Sequence, residues 1–336
     1  MLPDTSTWLR GIPKAELHIH LEGSIKPETL VKLSQRHDQI PLTLEQAQKL
    51  YIYNDFQEFL EAFSLVNSRL QTPEDFALIT YEMIRSLASQ GCVHAEVNFS
   101  WGILLRRKPH LQMPTVMQAI ETARIHAEQE FGTTVLWIVD LVRTHSPELN
   151  QNVLQLAITL KGQFPSIVGV GIGGDEAAGP APLFRELYAE AKDSGLRLVA
   201  HAGEAVGPES IWAALDIGTE RIGHGLSAQC DRDLMRVLAE RKIPIEINVT
   251  SNLKTGNCPA LEDHPIRQYF DAGLVVIINS DDPPMFKTSL LQEYELVQNH
   301  FSFSEQEMKE LAANSVIASF MPFERKNKLL EMIRKY

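Results

Sequence analysis

The chain has 336 residues, of which 44% are hydrophobic and 22% charged, enough apolar content for a full globular core. Its 31 basic residues stand against 43 acidic ones, a formal charge of −12. That balance argues against a nucleic-acid surface and against an anionic membrane, both of which need a concentrated basic face, and leaves small molecules and proteins as partners.

The opening stretch "MLPDTSTWLRGIPK" has no apolar h-region, and the longest aliphatic run, "LVVII" at 274–278, is far too short to span a bilayer. The first strand candidate is "AELHIHL" at 15–21. Successive side chains of a strand point to opposite faces, so His18 and His20 share one face while Leu17, Ile19 and Leu21 share the other. Two adjacent imidazoles there demand hydrogen bonds, water or a cation. About seventy residues follow before the next strand candidate, far beyond an ordinary connection. They read as helices, with Pro27 early in one and Thr72-Pro73-Glu74-Asp75 opening another through an N-cap and a first-turn proline. Phe56, Phe59, Leu60, Phe63 and Val66 fall at helical spacing and predict a helix packed on the sheet. This gives a helical insertion over about 24–90, whose end nearest the first strand is expected to lid the site.

Further strand candidates are "CVHAEVNF" at 92–99, "TVLWIVD" at 134–140, "IVGVGI" at 167–172 and "LRLVAHA" at 196–202. "RIGHG" at 221–225, "IPIEINV" at 243–249 and "LVVIINS" at 274–280 complete eight. Most are separated by helical periodicity, as in "MPTVMQAIETARIHAEQEF" and "DRDLMRVLAERK". A capped helix, "SEQEMKELAANSVIASF" with Ser304 and Glu307 as a capping box, closes the chain. Strand then helix, eight times over, predicts an α/β fold, a (β/α)8 TIM barrel with a helical insertion after strand 1. Alternation alone leaves a doubly wound open sheet possible, but no G-x-G-x-x-G follows the first strand, which removes the usual dinucleotide reading. No repeat, low-complexity tract or linker interrupts the pattern, so residues 1–336 are expected to form a single domain. Cys92, Cys230 and Cys258 are widely spaced, which predicts neither a disulfide framework nor a thiolate zinc site and fits a reducing cytoplasm.

Unusual polar residues sit at the strand C-termini: His18 and His20 on the first, His201 with Glu204 on the fifth, His224 on the sixth, Asp281 with Asp282 on the eighth. In a barrel those ends converge on the face that carries active sites. Three imidazoles and a carboxylate, His18, His20, His201 and Asp281, make a ligand set suited to zinc and acceptable to iron, cobalt or manganese. "IVGVGIGGDE" offers no lysine to bridge two ions, so one ion per chain is expected. Such a cation lowers the pKa of water from about 15.7 toward 7. Glu204 is placed to transfer a proton, and His224 to take the water's proton or stabilise its developing charge. His37, His94, His110, His126, His145, His264 and His300 are read as surface or ordinary hydrogen-bonded residues. A metal phosphoesterase on the same barrel would need basic groups at these strand ends, and none is evident there. A non-catalytic binding protein would have no use for both Glu204 and His224.

"ELHIHLEGSIKPETL", "GGDE", "HAGEAVGPESIWAAL", "RIGHG", "TSN" and "NSDDP" resemble, in order, the motifs of the adenosine deaminase family of the amidohydrolase superfamily. The resemblance implies a zinc barrel that hydrolyses the 6-amino group of a purine and releases ammonia. It implies zinc on His18, His20, His201 and Asp281, protonation of purine N1 by Glu204, and a water oriented and deprotonated by His224. It also implies that Asp282 meets N7 and the backbone of Gly174 meets N3. Glu22 stands where strict adenosine enzymes carry a shorter Asp facing the ribose 5′-hydroxyl. Glu22, "EVNFSWGILLRR" and "NSDDPPMF" look more like the bacterial branch acting on 6-amino-6-deoxyfutalosine, whose 5′ side bears a carboxybenzoyl group, in menaquinone synthesis. Adenosine and adenine are the alternatives.

Overall fold

The structure, a computed structural model, describes residues 5–53 and 56–336; the side chains of Thr5, Phe56 and Gln57 also lie outside it. Eight parallel strands follow one another around the sheet in chain order. They are β1 (Lys14–His20), β2 (Cys92–Phe99), β3 (Thr134–Val142), β4 (Ile167–Gly173), β5 (Arg197–Ala202), β6 (Arg221–His224), β7 (Pro244–Ile247) and β8 (Val275–Ile278). A helix, or a short 3-10 turn and then a helix, covers each crossover. β1 to β3 are buried on both faces, as parallel strands under helices must be, and the expected barrel is the observed one.

The sheet closes at one place. An isolated bridge pairs Ile19 with Asp281, three residues beyond the end of β8. The Asp281 N–H donates to the His18 carbonyl at 3.0 Å, and the His20 N–H donates to the Asp281 carbonyl at 3.0 Å. Asp281 reaches this position with φ at 63°, a left-handed conformation that aspartate tolerates better than most residues. Leu17 N–H on Asn279 Oδ1 at 2.8 Å and Ser280 N–H on Glu16 Oε1 at 2.8 Å extend the seam.

Charged side chains fill part of the barrel interior. Arg221, at the start of β6, lies between Glu96 of β2 and Glu246 of β7, with its Nε 2.6 Å from Glu246 Oε1 and its guanidinium 4.0 Å from the Phe320 ring centre. All three charged groups are essentially inaccessible to solvent. Burial works against ionisation of both carboxyls, yet the Arg221 charge outweighs it and holds both below the usual carboxylate range. The other Glu246 oxygen meets His18 Nδ1 at 2.9 Å, so this layer supports the strand end above it.

The insertion forms helices Pro27–His37, Leu44–Lys49, Phe56–Asn67 and Pro73–Ala88. Thr43 and Gln46 make a capping box on the second. Buried Asp75, in the first turn of the fourth, accepts from the backbone N–H groups of Gln71 and Thr72 at 2.9 Å and pairs with Arg36 at 2.8 Å. In the third helix Phe59 and Val66 are buried and Phe63 half-buried, whereas Leu60 turns outward and is 44% exposed. One residue step rotates a helix by about 100°, so Leu60 cannot share the Phe59 face. Phe59 stacks on Phe286 with ring centres 5.1 Å apart, and the Tyr53 hydroxyl donates to the Met285 carbonyl, which docks this stretch on the turn after β8. No described helix is long and apolar enough to cross a membrane.

Replacing Arg221 by Met leaves two buried carboxylates without their counter-charge. The expected loss is about 3–5 kcal/mol of unfolding free energy, read from urea denaturation at neutral pH. A change below about 1 kcal/mol would contradict a structural role for the charged layer.

Candidate active site

Residues more than 260 positions apart in the chain meet at the C-terminal ends of the strands. His18 and His20 end β1, His201 lies within β5, His224 ends β6, and Asp281 follows β8. Two overlapping groups, His18 with His20 and Asp281, and His18 with His201 and His224, each bring three ligand atoms within 4.8 Å of one another. Both groups are compact enough for a metal ion, and the protonation of the rings decides between them.

Hydrogen bonding decides which nitrogens are free. His201 Nδ1 lies 3.0 Å from the Ile172 carbonyl, which can only accept, so Nδ1 carries the proton. His18 Nδ1 faces the Glu246 carboxylate at 2.9 Å, and His20 Nδ1 faces Asp140 Oδ2 at 3.5 Å. In the neutral form each of the three imidazoles therefore offers its Nε2 lone pair to one point. There His20 Nε2 and His201 Nε2 are 3.3 Å apart, and Asp281 Oδ1 lies 3.2 Å from His20 Nε2 and 3.6 Å from His18 Nε2. His18 Nε2 is buried with no hydrogen-bond partner. Facing lone pairs at these distances repel unless a proton or a cation sits between them.

The charges show the same need. For His20, burial opposes protonation, but Asp140 and Asp281 outweigh it and raise its pKa well above the usual value. His201 is held well below that value, first by burial and then by the neighbouring imidazoles. Burial also opposes ionisation of Asp281, but the His20 hydrogen bond and the surrounding histidines keep it ionised well below the usual range. One extra positive charge satisfies this set, and a divalent ion fits the position in place of a proton. Ser251 Oγ donates to the remaining Asp281 oxygen at 2.6 Å.

His224 differs from the other three. The Asn252 amide nitrogen donates to its Nδ1 at 2.9 Å, and Asn252 Oδ1 accepts from His264 Nε2 at 3.2 Å. Neutral His224 thus carries its proton on Nε2, which points toward Glu204 Oε2 at 3.6 Å and has no lone pair for a metal. Burial, then the charge of His18, pushes its pKa down to about 3, so it stays neutral. Glu204 is pushed up to about 8, first by burial and then by Asp281 and Glu176, and keeps its proton at neutral pH. Its Oε1 accepts from Asn257 at 3.1 Å.

The remaining sequence-derived candidates line the same face. Asp282 is buried with Oδ1 unpartnered, and burial together with the adjacent Asp281 charge raises its pKa well above normal. Gly23 fits against it only as glycine, since a Cβ there would fall 1.5 Å from Asp282 Oδ1. Glu22 accepts from the Ser100 N–H at 3.0 Å, and burial lifts its pKa to about 7. Gly174 follows β4 in an exposed left-handed conformation, φ 92°. A larger cavity, about 630 Å³, opens elsewhere, among Ser6, Met83, Gln90 and Gln292, and includes none of these residues.

Comparison with known proteins places this geometry. The family model described as adenosine deaminase matches residues 13–336. The chain belongs to the adenosine deaminase family. An aminodeoxyfutalosine deaminase of Streptomyces avermitilis is 38% identical to it, over 99% of this chain and 93% of that protein. An adenine deaminase of Chlorobium phaeobacteroides is 32% identical over 98% of each. Among solved structures, adenine deaminase from Arthrobacter aurescens superposes with a TM-score of 0.89 at 31% identity, covering 96% of this chain and 98% of that one. As a member of this family, the chain is a hydrolase of carbon–nitrogen bonds.

Several supports of this adenosine deaminase site were not legible as such in the sequence. Asn252 and Ser251 belong to the "TSN" motif, but their contacts with His224 and Asp281 depend on a six-residue helix after β7. Asp140 and Glu246 look like ordinary strand carboxylates until the barrel places them behind His20 and His18. Arg143 corrects the expectation that no basic group stands at these strand ends. It follows β3, but it is buried and donates to the carbonyls of His201, at 2.6 Å, and of Gly179. Both terminal nitrogens of its guanidinium are thus engaged by backbone, while its Nε is buried without a partner. Gly223 of β6 leaves room for the cluster, since a Cβ there would lie 2.7 Å from His18 Cε1 and 3.4 Å from His201 Cα.

Glu176, last residue of "GGDE", is the largest omission. Its buried carboxylate accepts from three successive backbone N–H groups, Gly203 at 2.7 Å, Glu204 at 3.0 Å and Ala205 at 2.8 Å, and from Ser210 Oγ at 2.5 Å. It fixes the turn that aims Glu204. Glu176→Ala is expected to lower kcat by about tenfold or more while KM and bound metal change little, with Glu176→Gln recovering part of the loss. Equal changes in kcat and metal content would show instead that Glu176 only maintains the fold.

Proposed function

We propose that this protein is a zinc-dependent hydrolytic deaminase of a 6-aminopurine nucleoside, with 6-amino-6-deoxyfutalosine, converted to futalosine, as its preferred substrate. The observation that carries the reading is the convergence of three Nε2 lone pairs and Asp281 Oδ1 on one point, with Glu204 Oε2 facing His224 Nε2 at 3.6 Å beside it.

In this reading His18, His20, His201 and Asp281 hold one zinc ion, the N and O donor set such an ion favours. When bound, the ion supplies Lewis acidity that brings the pKa of water from about 15.7 toward 7. Glu204 lies across from the cluster and delivers its proton to purine N1, which makes C6 more electrophilic. His224 directs Nε2–H at the oxygen of the attacking water, orienting it and stabilising the charge that develops there. This donor role follows from the Asn252 hydrogen bond, whereas the family resemblance implied removal of the water's proton. Asp282 binds N7, the Gly174 backbone meets N3, and Glu22 faces the 5′ side of the ribose. Glu204, ionised once N1 is protonated, takes the two protons of the attacking water in turn, passing one to the amine and keeping the other, so that ammonia leaves from C6 and the water oxygen becomes the C6 carbonyl.

The substrate choice rests on similarity. Aminodeoxyfutalosine deaminases of two Streptomyces species are 38% and 37% identical over 99% of this chain, against 31–33% for the adenine deaminases. Adenine is the second reading, favoured by the Arthrobacter aurescens structure.

Glu204→Gln is expected to retain stoichiometric metal by elemental analysis and to lose about a hundredfold or more in kcat; near-normal turnover would remove Glu204 from the chemistry. Side-by-side kcat/KM on metal-replete enzyme, followed by loss of absorbance at about 265 nm, is expected to rank aminodeoxyfutalosine above adenosine and adenine. A clear preference for adenine would transfer the assignment to the second reading.

A further inference from the structure

His264 lies in "EDHPIRQYF", a stretch outside the motifs that carry the cluster, yet it is buried. It stands between a 3-10 turn, Leu261–Asp263, and the short helix Ile266–Asp271. The first N–H groups of a helix have no partner inside it. One of these, that of Ile266, donates to His264 Nδ1 at 3.3 Å. A backbone N–H can only donate, so His264 Nδ1 accepts and the neutral ring carries its proton on Nε2. Burial pushes the pKa of this ring down to about 4, so it is neutral at neutral pH.

That one fixed donor sets the sense of every bond beyond it. His264 Nε2–H donates to Asn252 Oδ1 at 3.2 Å, which turns the Asn252 amide so that its nitrogen faces His224 Nδ1 at 2.9 Å. With the amide reversed, two N–H groups would meet head to head, either between Asn252 and His264 or between His264 and Ile266. Asn252, His224 and His264 are all buried, where such a mismatch is costly. A second amide acts in the same sense. Asn248 Nδ2, held by the Glu246 carbonyl at 3.4 Å, reaches His224 Nδ1 at 3.4 Å, a longer and weaker contact. The consequence falls on the other side of the His224 ring. An imidazole without fixed neighbours samples both tautomers, and the Nδ1–H form would aim a lone pair, not a proton, at an oxygen that gathers negative charge.

We propose that His264 is a positioning residue for deamination: acting through Asn252, it holds His224 in the tautomer that presents Nε2–H to the attacking water. His264 touches no reacting atom. Its effect on turnover rests on the deaminase reading, whereas the tautomer is read without any substrate.

The test therefore measures the two separately. In NMR spectra of metal-replete enzyme carrying isotope-labelled histidine nitrogens, the His224 signals, identified by their loss in His224→Phe, are expected to show Nε2–H. In Asn252→Asp they are expected to show Nδ1–H, because a carboxylate only accepts. His264→Phe keeps the ring's bulk and loses the donor. Measured below its Tm and per bound metal, it is expected to lower kcat about fivefold or more with KM nearly unchanged, and His264→Gln, which restores a donor, to recover most of the loss. In an Asn252→Ala background the His264→Phe loss is expected to disappear, since no amide is left to hold.

Nδ1–H on His224 in the native enzyme would overturn the relay, and so would losses from His264→Phe and Asn252→Ala that multiply. Unchanged kcat in His264→Phe would remove its role in turnover. If His264→Phe fails to fold, the native tautomer and its shift in Asn252→Asp decide alone. Native enzyme that shows the expected tautomer yet deaminates none of aminodeoxyfutalosine, adenosine and adenine would reject the deaminase reading, and the positioning role with it, while the hydrogen-bond chain stands.

Discussion

The seam between the first and last strands is the constraint on which the site depends. Asp281 is wedged between His18 and His20 by two backbone hydrogen bonds, so the residues that close the barrel are also those whose side chains converge. Its left-handed backbone is needed for both tasks, because an extended residue there would continue β8 and carry the carboxylate away from the imidazoles. His224 adopts the same unusual conformation at the end of β6, with φ at 63°. Such dihedrals persist in non-glycine residues only where the surroundings over-determine them, and here the surroundings are the strand ends themselves.

Below and beside the cluster, two kinds of support divide the work. Beneath it, Arg221 neutralises Glu96 and Glu246, and Glu246 sets the tautomer of His18. At the side, Glu176 gathers the amides of the turn after β5, and Arg143 ties the His201 carbonyl to the loop after β4. The first network fixes ring nitrogens and the second fixes backbone. Together they hold rigid groups whose alternatives are electrostatically costly, which is how a site pre-organises before substrate arrives.

Much of this was legible in the residues alone. All eight strands lie where short apolar runs ending in polar residues placed them, because buried parallel strands between amphipathic helices leave a strong local signal. The convergence of His18, His20, His201, Glu204, His224, Asp281 and Asp282 followed from one rule, that barrel chemistry collects at strand C-termini. What was not legible depends on distances between strands. Asp140, Glu246 and Glu176 look like any other carboxylates in one dimension, and their roles appear only when register brings them to an imidazole or a turn. The outward turn of Leu60 was likewise hidden, since spacing finds a helical stripe more easily than it fixes the stripe's edge.

Gly223 carries a consequence for how such an enzyme can change over evolutionary time. With no space for even a methyl group between β6, the imidazole of His18 and the backbone of His201, the floor of the reaction chamber has almost no freedom to vary. The short helix Trp101–Arg107, which follows the Ser100 N–H that holds Glu22, by contrast ends in exposed side chains whose replacement disturbs no strand. New substrate preferences in this lineage would therefore arise at the outer wall, and a library aimed at altered selectivity belongs between Ile103 and His110.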